Sequence, residues 1–307
     1  MTALLANPAL PNTAAAASVR VEPGDDVQAA LGRAAIGDVV ILARGLHKGP
    51  VEIARETVLE GEPGAVLEGP GHGSVVTVSA PHAVVRGLVV RGSGRDLDAM
   101  DAGVFVAQSA TGALVEDNRL EGNLYGIYLH GAADSVARRN VIIGIEEGRV
   151  AEAGNGVSVW NAPGARVEDN DIRFGRDGIF ATASKGNVFH GNRFRDLRFA
   201  VHYMYTNDGE VTGNISRGNT VGFAIMYSSR LIVRDNVSDG DLNHGFLFNF
   251  ANNSEISGNT VRGRLLPADR WVNPGLRDKD AREHGLPSDD ASSSAAHPGA
   301  VRSGPEK

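Results

Sequence analysis

Three stretches of the sequence repeat at an interval of 22 residues: GIFATASKGNVFHGN (178–192), AVHYMYTNDGEVTGN (200–214) and GFAIMYSSRLIVRDN (222–236). The closing asparagine belongs to a series with spacings of 22, 30, 22, 22, 22 and 23: Asn118, Asn140, Asn170, Asn192, Asn214, Asn236 and Asn259. The opening residue recurs with spacings of 23, 30, 22, 22, 22 and 23: Gly103, Gly126, Gly156, Gly178, Ala200, Gly222 and Gly245. Two markers that share one period and one insertion indicate a repeat protein.

Each repeat contains short runs of alternating apolar residues broken by Gly, Asn and Asp, and no run is long enough for an α-helix. The L-x-x-L-x-L frame of a leucine-rich repeat is absent. The pattern predicts an all-β fold, a right-handed parallel β-helix in which each coil adds about three short strands to three stacked sheets. The asparagines are expected to stack as a ladder at one corner, since Asn tolerates the left-handed backbone conformation.

The composition excludes several other classes of protein. Glycine accounts for 39 of 307 residues and aromatic residues for 6%, a combination that disfavours a helical bundle. The net charge of −7 at pH 7 argues against a nucleic-acid partner. Because the chain has no cysteine, it has no disulfide, zinc-thiolate site or cysteine nucleophile. No apolar run reaches the roughly 18 residues of a membrane-spanning helix.

The limits of the repeat region divide the chain into three parts. Residues 1–18 contain no Lys or Arg, and a leader or degenerate signal region is expected there. The β-helix domain is predicted over residues 19–264 and begins with a short capping helix that has Asp25 or Asp26 as its N-cap. That helix would cover the open end of the solenoid. Residues 265–307 are polar and predict a disordered tail.

Because side chains alternate between the two faces of a strand, each position after the opening residue of a repeat can be assigned to the core or to the outward face. The first and third positions after it are apolar or aromatic and are predicted to fill the core. The second and fourth positions face outward and carry no charge: Phe105, Tyr128, Ser158, Phe180, His202, Ala224 and Leu247, then Ala107, His130, Trp160, Thr182, Met204, Met226 and Asn249. An uncharged outward face is typical of an interface. We predict a partner-binding face that includes Tyr128, His130, Trp160, Phe180 and Asn249.

Two of the four methionines of the chain, Met204 and Met226, lie in the same outward column one coil apart. His202 lies on the same face, two residues before Met204. Thioether sulfur suits Cu(I) and is a poor ligand for Mg²⁺ or Ca²⁺, and imidazole also suits copper. His202, Met204 and Met226 are therefore predicted to form a shallow, open metal site. Methionines that serve as adaptable contacts in a protein interface fit the same spacing, and the spacing alone leaves this alternative open.

A carbohydrate-active enzyme, either a uronan epimerase or a polysaccharide lyase, is the alternative for a solenoid of this kind. Its chemistry needs paired carboxylates, or a base with neighbouring cations, and the outward columns contain neither. Asp208 and Asp241 lie at predicted corners, where solvated turn residues are the simpler interpretation.

The run RDGIFATASKGNVFHGNRFRDLRFAVHYMYTNDGEVTGN (176–214) and its continuation from residue 221 to residue 259 resemble the NosD family of periplasmic β-helical copper-processing proteins. The segment FAVHYMYTN (199–207) is the most specific part. The resemblance is dense over about residues 120–262 and looser over 20–119. It implies a protein that is not an enzyme, that is periplasmic, and that takes part in the maturation of nitrous oxide reductase. The motif match also implies that His202, Met204 and Met226 bind Cu(I) transiently.

The resemblance implies three partners. They are an ABC transporter in the membrane with a cytoplasmic ATPase, a copper chaperone that supplies Cu(I), and nitrous oxide reductase as the acceptor. It implies neither a nucleic-acid partner nor a direct membrane span. The expected sequence of events is docking of the chaperone on the uncharged face, transfer of Cu(I) to the three ligands, and release driven by the transporter.

Overall fold

The structure, a computed structural model, describes residues 16–263. Its first part contains β1 (Ser18–Val21), α1 (Val27–Arg33), β2 (Val39–Leu42), β3 (Gly45–Lys48), β4 (Val51–Ile53), β5 (Val58–Gly61), β6 (Ala65–Glu68), β7 (Val76–Val78), β8 (Val84–Arg86) and β9 (Val89–Arg91). The central part contains β10 (Ala102–Val106), β11 (Leu114–Glu116), β12 (Arg119–Glu121), β13 (Tyr125–His130), β14 (Val136–Arg138), β15 (Val141–Ile143), a 3₁₀ helix (Val150–Glu152), β16 (Val157–Trp160), β17 (Arg166–Glu168) and β18 (Asp171–Arg173).

The remaining strands follow the most regular part of the repeat. They are β19 (Asp177–Thr182), β20 (Val188–His190), β21 (Arg193–Arg195), β22 (Phe199–Met204), β23 (Glu210–Thr212), β24 (Ile215–Arg217), β25 (Val221–Ser229), β26 (Ile232–Arg234), β27 (Val237–Asp239), β28 (His244–Asn252), β29 (Glu255–Ser257) and β30 (Thr260–Arg262). β1 begins at Ser18, the last residue of the predicted leader, whose residues 1–15 lie outside the described part. The tail predicted over 265–307 also lies outside it.

The strands form three parallel sheets that run the length of the described chain. Sheet 1 has the order β1-β2-β5-β8-β11-β14-β17-β20-β23-β26-β29, and sheet 2 has the order β3-β6-β9-β12-β15-β18-β21-β24-β27-β30. Sheet 3 has the order β4-β7-β10-β13-β16-β19-β22-β25-β28. Each strand inside a sheet therefore pairs with strands one coil before and one coil after it, and the parallel β-helix predicted from the repeat is confirmed.

The capping helix is also confirmed. Asp26 is the N-cap of α1, and its side chain accepts a hydrogen bond from the backbone N–H of Ala29 at 2.9 Å. Val27, Ala30 and Leu31 are buried, and the helix packs against β1, β2 and β4. The first coils have no coil before them within the described residues, and α1 covers the apolar side chains at this end of the solenoid.

The asparagines form the predicted ladder, but one expectation about their backbone is wrong. Asn192 is fully buried, and its Nδ2 donates to the carbonyl of Val167 at 2.8 Å and to Oδ1 of Asn214 at 3.0 Å. The left-handed conformation belongs to the residue before each asparagine: Asp117, Arg139, Asp169, Gly191, Gly213, Asp235 and Gly258. That residue makes the bend, because the asparagine must direct its amide inward to reach carbonyl groups of the adjacent coils.

Candidate metal centre

Met204 and Met226 lie side by side on neighbouring strands of sheet 3. The pairing of β19, β22, β25 and β28 places one column of outward residues in register: Thr182, Met204, Met226 and Asn249. Both methionines are partly exposed, whereas Tyr203 and Ile225, which precede them on their strands, are fully buried. The register expected from the 22-residue spacing is therefore present, and neither methionine belongs to the core.

His202 shares β22 with Met204 and pairs in register with Phe180 and Ala224. Its ring packs against Phe180 and Phe199, with ring centroids 4.9 Å apart in each case. Only 12% of the His202 side chain is exposed. The candidate site is therefore less open than the sequence predicts, because aromatic rings from β19 and β22 cover much of the imidazole.

A buried carboxylate that the sequence reasoning missed contacts this histidine. Oδ2 of Asp177, a residue only 1% exposed, lies 3.2 Å from Nδ1 of His202. Arg198 donates two hydrogen bonds to the same carboxylate, from Nε to Oδ1 at 2.9 Å and from Nη2 to Oδ2 at 2.7 Å. Burial raises the pKa of Asp177, but the hydrogen bond from His202 and the charge and hydrogen bonds of Arg198 outweigh it and hold the pKa at about 2.

The sequence does carry a signal for Asp177. The residues immediately before the seven opening positions are Ala102, Tyr125, Asn155, Asp177, Phe199, Val221 and His244. Only one of them is acidic, and it lies one coil before His202. The repeat alone does not show where this side chain points, because it lies at the start of β19, where the alternation of inward and outward residues begins.

The residues of the predicted partner-binding face are not all together: Phe180 packs against His202 and Asn249 lies in the methionine column on β28, whereas Tyr128, His130 and Trp160 form an aromatic cluster toward the N-terminal end of sheet 3. The rings of His130 and Trp160 stack with centroids 4.5 Å apart, and Phe105 packs against both Tyr128 and His130. Burial lowers the pKa of His130. Burial, with a smaller contribution from Tyr125, raises the pKa of Tyr128 to about 12. The face therefore has two halves, an aromatic one around Trp160 and a histidine–methionine one around Met204.

A second feature missed from the sequence borders the methionines. Tyr205, Tyr227 and Phe250 each follow a residue of the methionine column, and their rings stack in sequence with centroids 5.1 and 5.2 Å apart. All three have a positive φ, between 49° and 51°, a conformation that is rare for bulky residues. The three rings are also exposed. Their 22- and 23-residue spacings were visible in the sequence, but their left-handed backbone conformation was not.

The two carboxylates on which the carbohydrate alternative depends have structural contacts. Asp208 forms an ion pair with Arg230, and Asp241 is buried and accepts a hydrogen bond from the backbone N–H of Asn219 at 2.9 Å. Over residues 16–263, no group of three or more His, Asp and Glu side chains is placed to hold a metal ion. Within the same residues, no helix is long and apolar enough to cross a membrane.

Solved structures share the fold at low sequence identity. An exopolygalacturonase of family 28 from Yersinia enterocolitica matches with a TM-score of 0.65 and 12% identity, over 79% of this chain and 63% of that one. An alginate lyase from Paenibacillus sp. str. FPU-7 matches with a TM-score of 0.58 and 14% identity, over 80% of this chain and 98% of that one. At such identities the similarity shows the β-helix alone.

Sequence comparison is more specific. Residues 143–266 match the family described as "Periplasmic copper-binding protein (NosD)". A "Probable ABC transporter binding protein NosD" from Stutzerimonas stutzeri is 38% identical over 72% of this chain and 50% of its own length. A protein of the same description from Pseudomonas aeruginosa is 37% identical over 72% of this chain and 52% of its own length.

The chain thus spans about half the length of these curated relatives. The matched family region begins within the central coils and includes β19 to β28, which carry Asp177, His202, Met204 and Met226. By the family match and the two relatives, the chain is a NosD-type protein.

Proposed function

We propose that this chain is a periplasmic copper-delivery protein, not an enzyme, that accepts Cu(I) from a copper chaperone and passes it on within a complex with an ABC transporter during the maturation of nitrous oxide reductase. The observation that carries the proposal is the pairing of Met204 with Met226 on the outward face of sheet 3, beside His202. The family description and the names of the two relatives support copper binding, the periplasm and the transporter.

The donor set fits a transient Cu(I) cargo. Adjacent coils of a parallel sheet lie about 4.8 Å apart, so two flexible methionine side chains on neighbouring strands can converge on one ion. Thioether and imidazole groups both suit Cu(I). Two thioethers and a neutral imidazole carry no negative charge, so they bind the ion less tightly than thiolates would. Such ligands favour transfer over storage.

The surroundings of the ligands fit delivery between proteins. Met204 and Met226 are partly exposed and so accessible to a donor, while His202 is held by its neighbours. The aromatic half of the face, around Trp160, contains no charged side chain in its outward columns. An uncharged aromatic surface beside an accessible metal site suits docking of a chaperone.

The experiment is a titration of purified protein with Cu(I) against a competing chelator, with Met204→Leu, Met226→Leu and the double variant alongside. Leucine retains the volume and removes the sulfur. Loss of a residue that only hydrogen-bonds to a metal ligand already weakens metal binding by about 10–100-fold. Loss of a ligand itself is therefore expected to lower the Cu(I) affinity at least about tenfold in each methionine variant. Met100→Leu removes a methionine two residues before β10, which is four strands away from β22 in sheet 3. It is the matched control and should bind like the wild type.

Two results would contradict the proposal. One is an unchanged Cu(I) affinity in the double methionine variant with the fold intact. The other is activity on alginate or pectin that is abolished by changing Asp208 or Asp241, which would favour the carbohydrate-active alternative.

A further inference from the structure

We infer that Asp177 is a positioning residue of the proposed copper site: its buried carboxylate accepts the Nδ1–H of His202 and fixes the imidazole in the tautomer that leaves Nε2 free for the metal. The inference deepens the proposed function and rests on it for the role of copper. The tautomer itself is a property of the metal-free protein and is testable without copper.

The carboxylate of Asp177 is held in place by its neighbours. Asp177 is 1% exposed and receives two hydrogen bonds from Arg198. Arg198 is in turn held over the ring of Phe199, with Cζ 4.4 Å from the ring centroid. Phe199 pairs in register with Asp177 across β19 and β22. The acceptor that faces His202 is therefore set by an ion pair and by the strand register together.

The imidazole of His202 is held in its orientation by two aromatic rings. Phe180 and Phe199 pack against its ring from neighbouring positions. In this orientation Nδ1 lies 3.2 Å from Oδ2 of Asp177. Nε2 makes no hydrogen bond within residues 16–263. Rotation of the ring would lose the contact with Asp177 and disturb both aromatic contacts.

The carboxylate of Asp177 determines which ring nitrogen of His202 carries the hydrogen. An ionised carboxylate has only acceptor sites, so in the neutral histidine the hydrogen must be on Nδ1 and the lone pair on Nε2. Metal-binding histidines commonly donate their second ring N–H to a carboxylate, which orients the ring and raises its basicity as a ligand. Neutral histidine free in water favours hydrogen on Nε2. The contact with Asp177 therefore reverses the default preference and presents Nε2 to the metal.

The test is a measurement of the His202 tautomer by ¹⁵N nuclear magnetic resonance in the metal-free protein, under conditions where the ¹⁵N shifts themselves show a neutral ring. The wild type is expected to carry the hydrogen on Nδ1. Asp177→Asn is expected to shift the population toward hydrogen on Nε2 and to lower Cu(I) affinity by about 10–100-fold. Asp171→Asn removes the carboxylate partner of Arg195 on sheet 2 and leaves His202 untouched; it should change neither quantity.

The outcomes separate the two proposals. Hydrogen on Nε2 in the wild type overturns the inference, and this measurement needs no variant that might fail to fold. If the wild type binds Cu(I), equal measured affinities for the Asp177→Asn and Asp171→Asn variants also overturn it. A wild type with hydrogen on Nδ1 that binds no Cu(I) supports the assignment of the tautomer and overturns the proposed function.

Discussion

At the scale of single residues, Asp241 shows what a buried carboxylate between two coils requires. Asp241 occupies the position of Asn219 one coil later. Its carboxylate accepts one hydrogen bond from the backbone N–H of Asn219 at 2.9 Å and another from the hydroxyl of Ser238. Within the described residues it has no cationic partner. Burial raises the pKa of Asp241, and its hydrogen bonds only partly offset that effect. The ionised form is therefore disfavoured in the folded protein.

Asp241→Asn is predicted to stabilise the protein near pH 7. Because the pKa of Asp241 is higher in the folded protein than in the unfolded one, protonated Asp241 is fully compatible with the fold below the unfolded pKa of about 3.9. This stability is lost as the pH rises through the folded pKa, since the buried carboxylate must then ionise. Asparagine removes this loss and keeps the acceptor for Asn219. Thermal unfolding should show a higher midpoint for the variant near pH 7, with the difference shrinking toward about pH 4.

Asp239→Asn is the matched control, since Asp239 is more exposed and pairs with Arg217 at 3.3 Å. It should show no such gain. A variant at Asp241 that is less stable than the wild type near pH 7 would contradict the account of this residue.

The contact between Asp177 and His202 illustrates the limit of prediction at this scale. The spacing placed His202 on the outward face, because alternation has a fixed period of two. It could not reveal Asp177 as its partner, since the two residues are 25 positions apart and on adjacent coils. The contact depends on the direction of one side chain at the beginning of β19, which no periodicity specifies.

At the scale of elements, the opening residue of each repeat is small because sheet 3 approaches the inward side chains of sheet 2. A Cβ on Gly178 would lie 2.4 Å from Cδ1 of Phe194 and 2.5 Å from the carbonyl oxygen of Ala200. Ala200 occupies the same position one coil later, and there the residue aligned with Phe194 is Ser216. A larger opening residue thus coincides with a smaller inward residue.

Gly178→Ala is predicted to destabilise the protein by about 1–3 kcal/mol or more, the range observed for overpacked cores. The reason is that both a ring and a backbone carbonyl stand in the way of the methyl group. Chemical denaturation of the metal-free protein measures the change.

Gly32→Ala is the control with the opposite sign. Gly32 lies in α1, and a Cβ there would meet nothing within 4 Å. Alanine should stabilise the helix by about 0.5–1 kcal/mol. Gly178→Ala as stable as the wild type would show that sheets 2 and 3 do not pack as closely as described here.

The elements were largely predictable because the repeat defines them. The period predicts the strands of the later coils. Asp25 or Asp26 followed by apolar residues at helical spacing predicts α1, and the structure selects Asp26 as its N-cap. The bend is predicted at each asparagine but lies one residue earlier, because Asn and all but one of the residues before it, which are Asp or Gly, are turn formers. Their roles separate only when Nδ2 of Asn192 is seen to bond to Val167 and Asn214.

At the scale of the whole molecule, the strand register of the sheets determines which side chains lie in the same column. One register places every fourth-position residue of sheet 3 in a single column, from His130 through Met204 to Asn249. The sequence predicted this column, but not how far neighbouring rings would cover it. Ser158 and Ala224 face outward and are nevertheless buried, since larger side chains beside them close over the sheet. Coverage of this kind depends on rotamers and not on register.

The central claim is that this register brings two thioethers and one imidazole to a single Cu(I) ion, and X-ray absorption spectroscopy of the copper-loaded protein tests it most directly. The account predicts two sulfur ligands and one nitrogen ligand from Met204, Met226 and His202. Met204→Leu and Met226→Leu should each lose one sulfur ligand, and Met100→Leu should lose none. A copper environment of nitrogen and oxygen alone, or a sulfur count unchanged in both ligand variants, would contradict the claim.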